Sequence, residues 1–132
     1  MRFESSAAPM PSSKKKGDVL QKRAASILRR RGYTVEVAIQ KSIRSGGRWL
    51  SLGHDYFQAF DIMATKENGP VRWVQVTTRE NASHRKVKVN KVPLSLSHNS
   101  VEVWGWDKRG FFQIYKKTPE GWLTYASERL KI

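Results

Sequence analysis

The stretch HDYFQAFDIMATKENGPVRWVQVTT, His54 to Thr78, decides the fold. Two runs within it, residues 56–65 and 71–78, are dense in aromatic and β-branched residues. Between them Lys66-Glu67-Asn68-Gly69-Pro70 is a breaker cluster, which predicts a β-hairpin with a loop longer than the minimum. Alternation places Phe60, Ile62 and Ala64 on one face of the first strand and Asp61 on the other. In the second strand Val74 and Val76 share a face, opposed by Gln75 and Thr77. A pivot near Asn68 sets Asp61 across from Gln75, with Thr77 on the adjoining diagonal. Cross-strand neighbours have Cβ atoms roughly 4.5–5.5 Å apart, close enough for both side-chain oxygens to hold one cation.

The rest of the chain gives that hairpin its surroundings. A length of 132 residues, 39% of them apolar, suits one domain with a real core. No run reaches the length of a membrane span, and the first residues lack the apolar core of a secretory signal. There is no cysteine, so disulfides, thiol chemistry and cysteine-based zinc sites are excluded. An intracellular, cytoplasmic location is the expectation. Lys and Arg number 25 against 11 Asp and Glu, a net charge of +14. That excess points to a polyanionic partner, nucleic acid first; no basic amphipathic helix with a broad apolar face favours lipid instead.

Residues 1–17 read as a disordered basic tail and residues 18–132 as the single domain. A helix is predicted over residues 18–31 from Leu20, Ala24, Ile27 and Leu28, with Gly32 as its left-handed C-cap. Residues 33–40 alternate as a half-buried strand. Residues 41–53 read as an irregular loop or wandering edge strand, whose Arg44, Arg48 and Trp49 suit a sugar-phosphate backbone and a stacking platform, although Trp49 equally suits an anchor for the loop. Residues 79–92 carry Arg79, His84, Arg85, Lys86 and Lys88, and read as a helical segment ending before Pro93. Residues 101–106 and 111–117 form a second hairpin around Asp107-Lys108-Arg109-Gly110. Trp122, Leu123 and Tyr125 close the chain as a short strand or a cap.

This order resembles the PD-(D/E)XK, or restriction-endonuclease-like, nuclease fold, with an α-β-β-β-α-β core. Phe60-Asp61-Ile62 stands at the family's Asp, and Gln75-Val76-Thr77 stands where its (D/E/Q)-X-K motif falls. Asp55-Tyr56-Phe57-Gln58-Ala59-Phe60-Asp61 followed by Gln75-Val76-Thr77 is similar to small phage and bacterial members of the Holliday-junction-resolvase branch. The resemblance covers residues 17–106. It implies an α/β fold with a mixed central sheet and an additional C-terminal strand. The implied activity is metal-dependent cleavage of DNA, with branched DNA the expected substrate and a homodimer the expected assembly. It also exposes two departures. No Glu stands early in the first helix, where Gln21 and Asp18 are the nearest polar residues, and Thr77 replaces the usual Lys. Lys86 or Lys88 would then have to reach back to the site.

Phosphodiester hydrolysis needs charge neutralised on the non-bridging oxygens and an activated water, work that Mg2+ or Mn2+ performs when oxygen ligands hold it. Asp61 and Asp55 are the expected anionic ligands, Gln75 a neutral one, and the Val76 carbonyl a fourth. The plainer readings are that Asp61 hydrogen-bonds within the sheet and that Asp55 caps a loop. Two rivals follow: a nuclease fold that has lost catalysis and only binds DNA or RNA, and a basic accessory protein that docks on a protein through exposed aromatics.

Overall fold

The computed structural model describes residues 13–38, 41–52 and 55–129. Helix α1 (Ser13–Arg30) starts ahead of the expected residue 18, since Lys14–Lys16 propagate a helix well, and it takes up part of the expected tail. The rest of that tail lies outside the described residues. Leu20, Ala24, Ala25, Ile27 and Leu28 form its buried stripe. Gly32, at φ +91°, ends it. Its N–H donates to Arg29 O at 3.0 Å and the Tyr33 N–H donates to Leu28 O at 3.1 Å, the paired bonds of a Schellman cap. Lys66 Nζ closes the same end on Arg31 O at 2.9 Å.

The chain then lays down β1 (Thr34–Val37), the hairpin β2 (Lys41–Ser45) and β3 (Arg48–Leu52), then β4 (Ile62–Thr65) and β5 (Val71–Thr78). A 3-10 turn (Arg79–Asn81) and helix α2 (Ala82–Val89) lead to β6 (Asn99–Asp107), β7 (Phe111–Thr118) and β8 (Gly121–Arg129). The fold is α/β, with a six-stranded mixed sheet in the order β1-β4-β5-β6-β7-β8, and β2–β3 as a separate two-stranded sheet. Among the described residues only β5 and β6 run parallel, and α2 makes the crossover between them. Ile62, Ala64, Val74, Val76, Trp104, Phe112 and Ile114 pack against α1. Phe60, Val101 and Val103 pack with Ala82 and Val89 of α2 in a second cluster.

Four expectations need correction. Residues 41–52, expected as an irregular loop or a wandering edge strand, are a regular hairpin in a sheet of its own, turned by Gly46 and Gly47 at φ +58° and +75°. The first strand of the central hairpin begins at Ile62, not at residue 56. Tyr56–Phe60 is instead a tight turn in which the Tyr56 and Phe60 backbones bond each other and Phe57 and Gln58 are left-handed. Phe60 consequently joins the α2-side cluster instead of sharing a face with Ile62 and Ala64. Finally, the closing segment, expected as a short strand or a cap, is a nine-residue strand paired along β7, so two strands follow the α-β-β-β-α-β portion beside the single additional strand of the expected fold. No helix among the described residues is long and apolar enough to cross a membrane.

Candidate functional site

Ile62 stands opposite Val74, the register that a pivot at Asn68 requires, and just beyond the paired residues the Asp61 and Gln75 side chains meet. The Asp61 backbone is fixed on both sides. Its N–H donates to Val74 O at 2.9 Å, and its carbonyl accepts the Ala38 N–H at 2.8 Å. The carboxylate, only 3% exposed, takes three donors. Oδ2 accepts from Gln75 Nε2 at 2.7 Å and from the Val76 N–H at 2.8 Å. Oδ1 accepts from Gln21 Nε2 of α1 at 3.1 Å. The Gln75 amide N–H also reaches Val76 O at 3.2 Å, while Gln75 Oε1 is buried and meets no donor. A buried acceptor without a partner carries a desolvation cost.

Burial pushes the Asp61 carboxyl up to about 7. The Val76 N–H works against the rise, the Asp55 charge adds to it, and Arg85 and Lys88 pull downward. These last two residues lie one turn apart on α2. Lys88 Nζ approaches Asp55 Oδ2 at 3.9 Å. Arg85, half-buried, has no ion pair among the described residues, and it lines a cleft of about 450 Å³ with Leu20, Thr77, Thr78, Asn81 and Lys108. The cleft opens beyond the C-terminal ends of the parallel strands β5 and β6, the usual place for a ligand in an open α/β sheet. At Gly105 of β6 a Cβ would stand 3.0 Å from Arg79 Cα, so this residue lets the 3-10 turn pass close over the strand.

The structure thus brings Asp55, Asp61, Gln75, Thr77, Arg85 and Lys88 to one region. It does not bring Lys86, whose Nζ lies 3.9 Å from the centre of the Tyr115 ring. Arg79 is tied to Asp107, a carboxyl held well below the ordinary range by Arg109 first and then by Arg79. His84 is exposed on α2. The side chains of Arg44, Arg48 and Trp49 lie outside the described residues. Sequence reasoning treated Lys108 as a turn residue only; its approach to the cleft follows from where the β6–β7 turn falls, which no local pattern encodes.

Carboxylate and amide oxygens are the donors a hard cation prefers, and here both Asp61 oxygens already accept N–H bonds. Asp55 and Asp61 supply carboxylates and Gln75 an unpartnered amide oxygen, while no group of three His, Cys, Asp or Glu occurs among the described residues. One or two carboxylates completed by substrate phosphate are enough for magnesium. Comparison of the chain with protein-family models, curated proteins and solved structures found no match.

Proposed function

We propose that the protein is a DNA-binding, metal-dependent endonuclease of restriction-endonuclease-like fold, with β2–β3 inserted into the α-β-β-β-α-β core and β7–β8 appended to it. One observation carries the reading: a buried carboxylate, Asp61, meets an amide, Gln75, whose oxygen is left without a donor beside the cationic α2 face. Asp61, Asp55 and Gln75 would hold Mg2+ or Mn2+. When bound, the ion supplies neutralisation of the phosphate and a water of lowered pKa. Arg85, Lys88 and Lys108 hold and orient the phosphates around it. Lys88, not Lys86, stands in for the lysine that Thr77 replaces, because Lys86 is committed to Tyr115. Branched DNA and a homodimer, whose two sites would cut symmetrically, belong to the same proposal.

A second reading has its own support. The Asp61 carboxylate already takes three N–H donors, two of them from Gln21 and Gln75, so the pocket is hydrogen-bonded without a metal. That favours a nuclease fold retained as a nucleic-acid-binding module. The test is incubation with labelled duplex, single-stranded and four-way-junction DNA, in magnesium, manganese or EDTA, beside Asp61→Ala. Metal-dependent nicking that the variant loses supports the enzyme. Binding with no nicking in any metal supports the module.

A further inference from the structure

Phe57 sets an exposed aromatic side chain on strained backbone. It sits at φ +53°, followed by Gln58 at +57°, a backbone region where a bulky side chain is an outlier. The ring is 60% exposed, so burial does not repay the strain. Glycine at this position would remove both the strain and the exposed apolar area. The ring is nevertheless held in place. Its centroid lies 5.3 Å from that of Trp73 at 56°, and Trp73 is itself fixed by Nε1 donating to Asn99 Oδ1 at 2.9 Å. Tyr56 adds an edge contact to Trp73 at 6.1 Å. The turn that carries Phe57 is closed by Gln58 N–H donating to Asp55 O at 2.8 Å, and the Asp55 carboxylate faces Lys88. A fixed, largely exposed aromatic ring therefore stands in the same turn as Asp55, whose carboxylate meets Lys88 of α2.

We propose that Phe57 is a stacking platform for one unpaired nucleobase, whose phosphates lie on Arg85 and Lys88. This deepens the nucleic-acid reading and rests on it: the substrate class becomes single-stranded or locally unpaired nucleic acid. Stacking on an aromatic ring tolerates any base, because every base presents a π-face, and it needs that base out of its duplex partner's reach. The positive side chains supply the complementary charge for the backbone on either side of it.

The test uses the full chain in EDTA, titrating a short single strand that carries a fluorescent purine analogue and the same sequence as a blunt duplex. Phe57→Ala is expected to weaken single-strand binding about tenfold and to abolish quenching of the analogue, with duplex affinity within twofold of wild type. Phe57→Tyr, which keeps the ring, should retain both. Phe57→Gly should melt at or above the wild-type temperature, since it relieves the turn. The proposal is overturned if Phe57→Ala leaves single-strand binding intact, if it weakens strand and duplex equally, or if Phe57→Gly melts far lower, which would make the ring a structural prop. Wild-type protein that binds neither probe would sink the nucleic-acid reading as well. Wild-type protein that binds both, with no effect of Phe57, would sink the stacking role alone.

Discussion

Asp61 and its surroundings show how one buried carboxyl links stability to chemistry. Its folded pKa is raised from the ordinary 3.8 to about 7. A group raised in this way contributes stability that is fully present below its unfolded value and is lost as pH rises through its folded value. In EDTA the protein should therefore lose stability from this group as pH rises from about 4 to about 7. Asp61→Asn, which cannot titrate, should flatten the wild-type decline in melting temperature over that range when both are scanned in EDTA. An identical slope in the two proteins would place the titration elsewhere. The lysines of α2 make a second residue-scale contrast. Lys86 sits over Tyr115 and is lowered by desolvation, so Lys86→Ala should cost about 1 kcal/mol of stability and leave DNA affinity alone. Lys88→Ala should do the reverse, which urea titrations and binding isotherms on the two variants would read directly.

At the scale of elements, the register of β4 on β5 was legible because a five-residue breaker cluster centred on Asn68 leaves one symmetric way to close the hairpin. The Asp61–Gln75 pair came with it. The turn at Tyr56–Phe60 was not legible, since its left-handed residues are Phe57 and Gln58 and no glycine announces it. Gly46-Gly47 did announce the β2–β3 turn, and the mixed sequence around it obscured that signal. The contact of Gln21 with Asp61 spans forty residues. It depends on how α1 is seated on the sheet, which helical periodicity leaves open. Another such long-range pair holds β5 to β6. Glu102 is buried with Arg72 on both oxygens, at 2.8 and 2.6 Å, while Ser100 and Trp104 donate to it as well. Burial raises its pKa, but the bonds and charge of Arg72 outweigh that and hold it below the ordinary value. Here the stability is present at neutral pH and lost as pH falls through the lowered value. Glu102→Gln should destabilise by about 3–5 kcal/mol, because Arg72 is left charged and largely buried. The double replacement Arg72→Met with Glu102→Leu should cost less than Glu102→Gln alone in urea unfolding, and a cost equal to the sum of the single changes would argue against a buried pair.

Across the whole molecule, a net charge of +14 makes salt the first variable to control. Every phosphate that a cation neutralises releases counterions, so the affinity falls with salt at a slope of about −0.9 per contact on duplex DNA. If Arg85, Lys88 and Lys108 each take one phosphate, the slope is about −2.7, and a fourfold rise in salt weakens binding about 40-fold. Further cations steepen it. The sheet fixes where these charges stand: α2 crosses from β5 to the parallel β6, and the β6–β7 turn returns Lys108 to the same cleft. Removing Arg85 and Lys88 together should reduce the slope by nearly two, with the melting temperature little changed, since neither side chain belongs to the core. The same variant with Asp61→Ala separates two demands that share one surface. The charge contacts set the salt slope with or without a metal, whereas Asp61 governs any cleavage and should leave the slope where it was. A slope near zero for the wild-type protein would mean that its positive charge serves something other than a phosphate backbone.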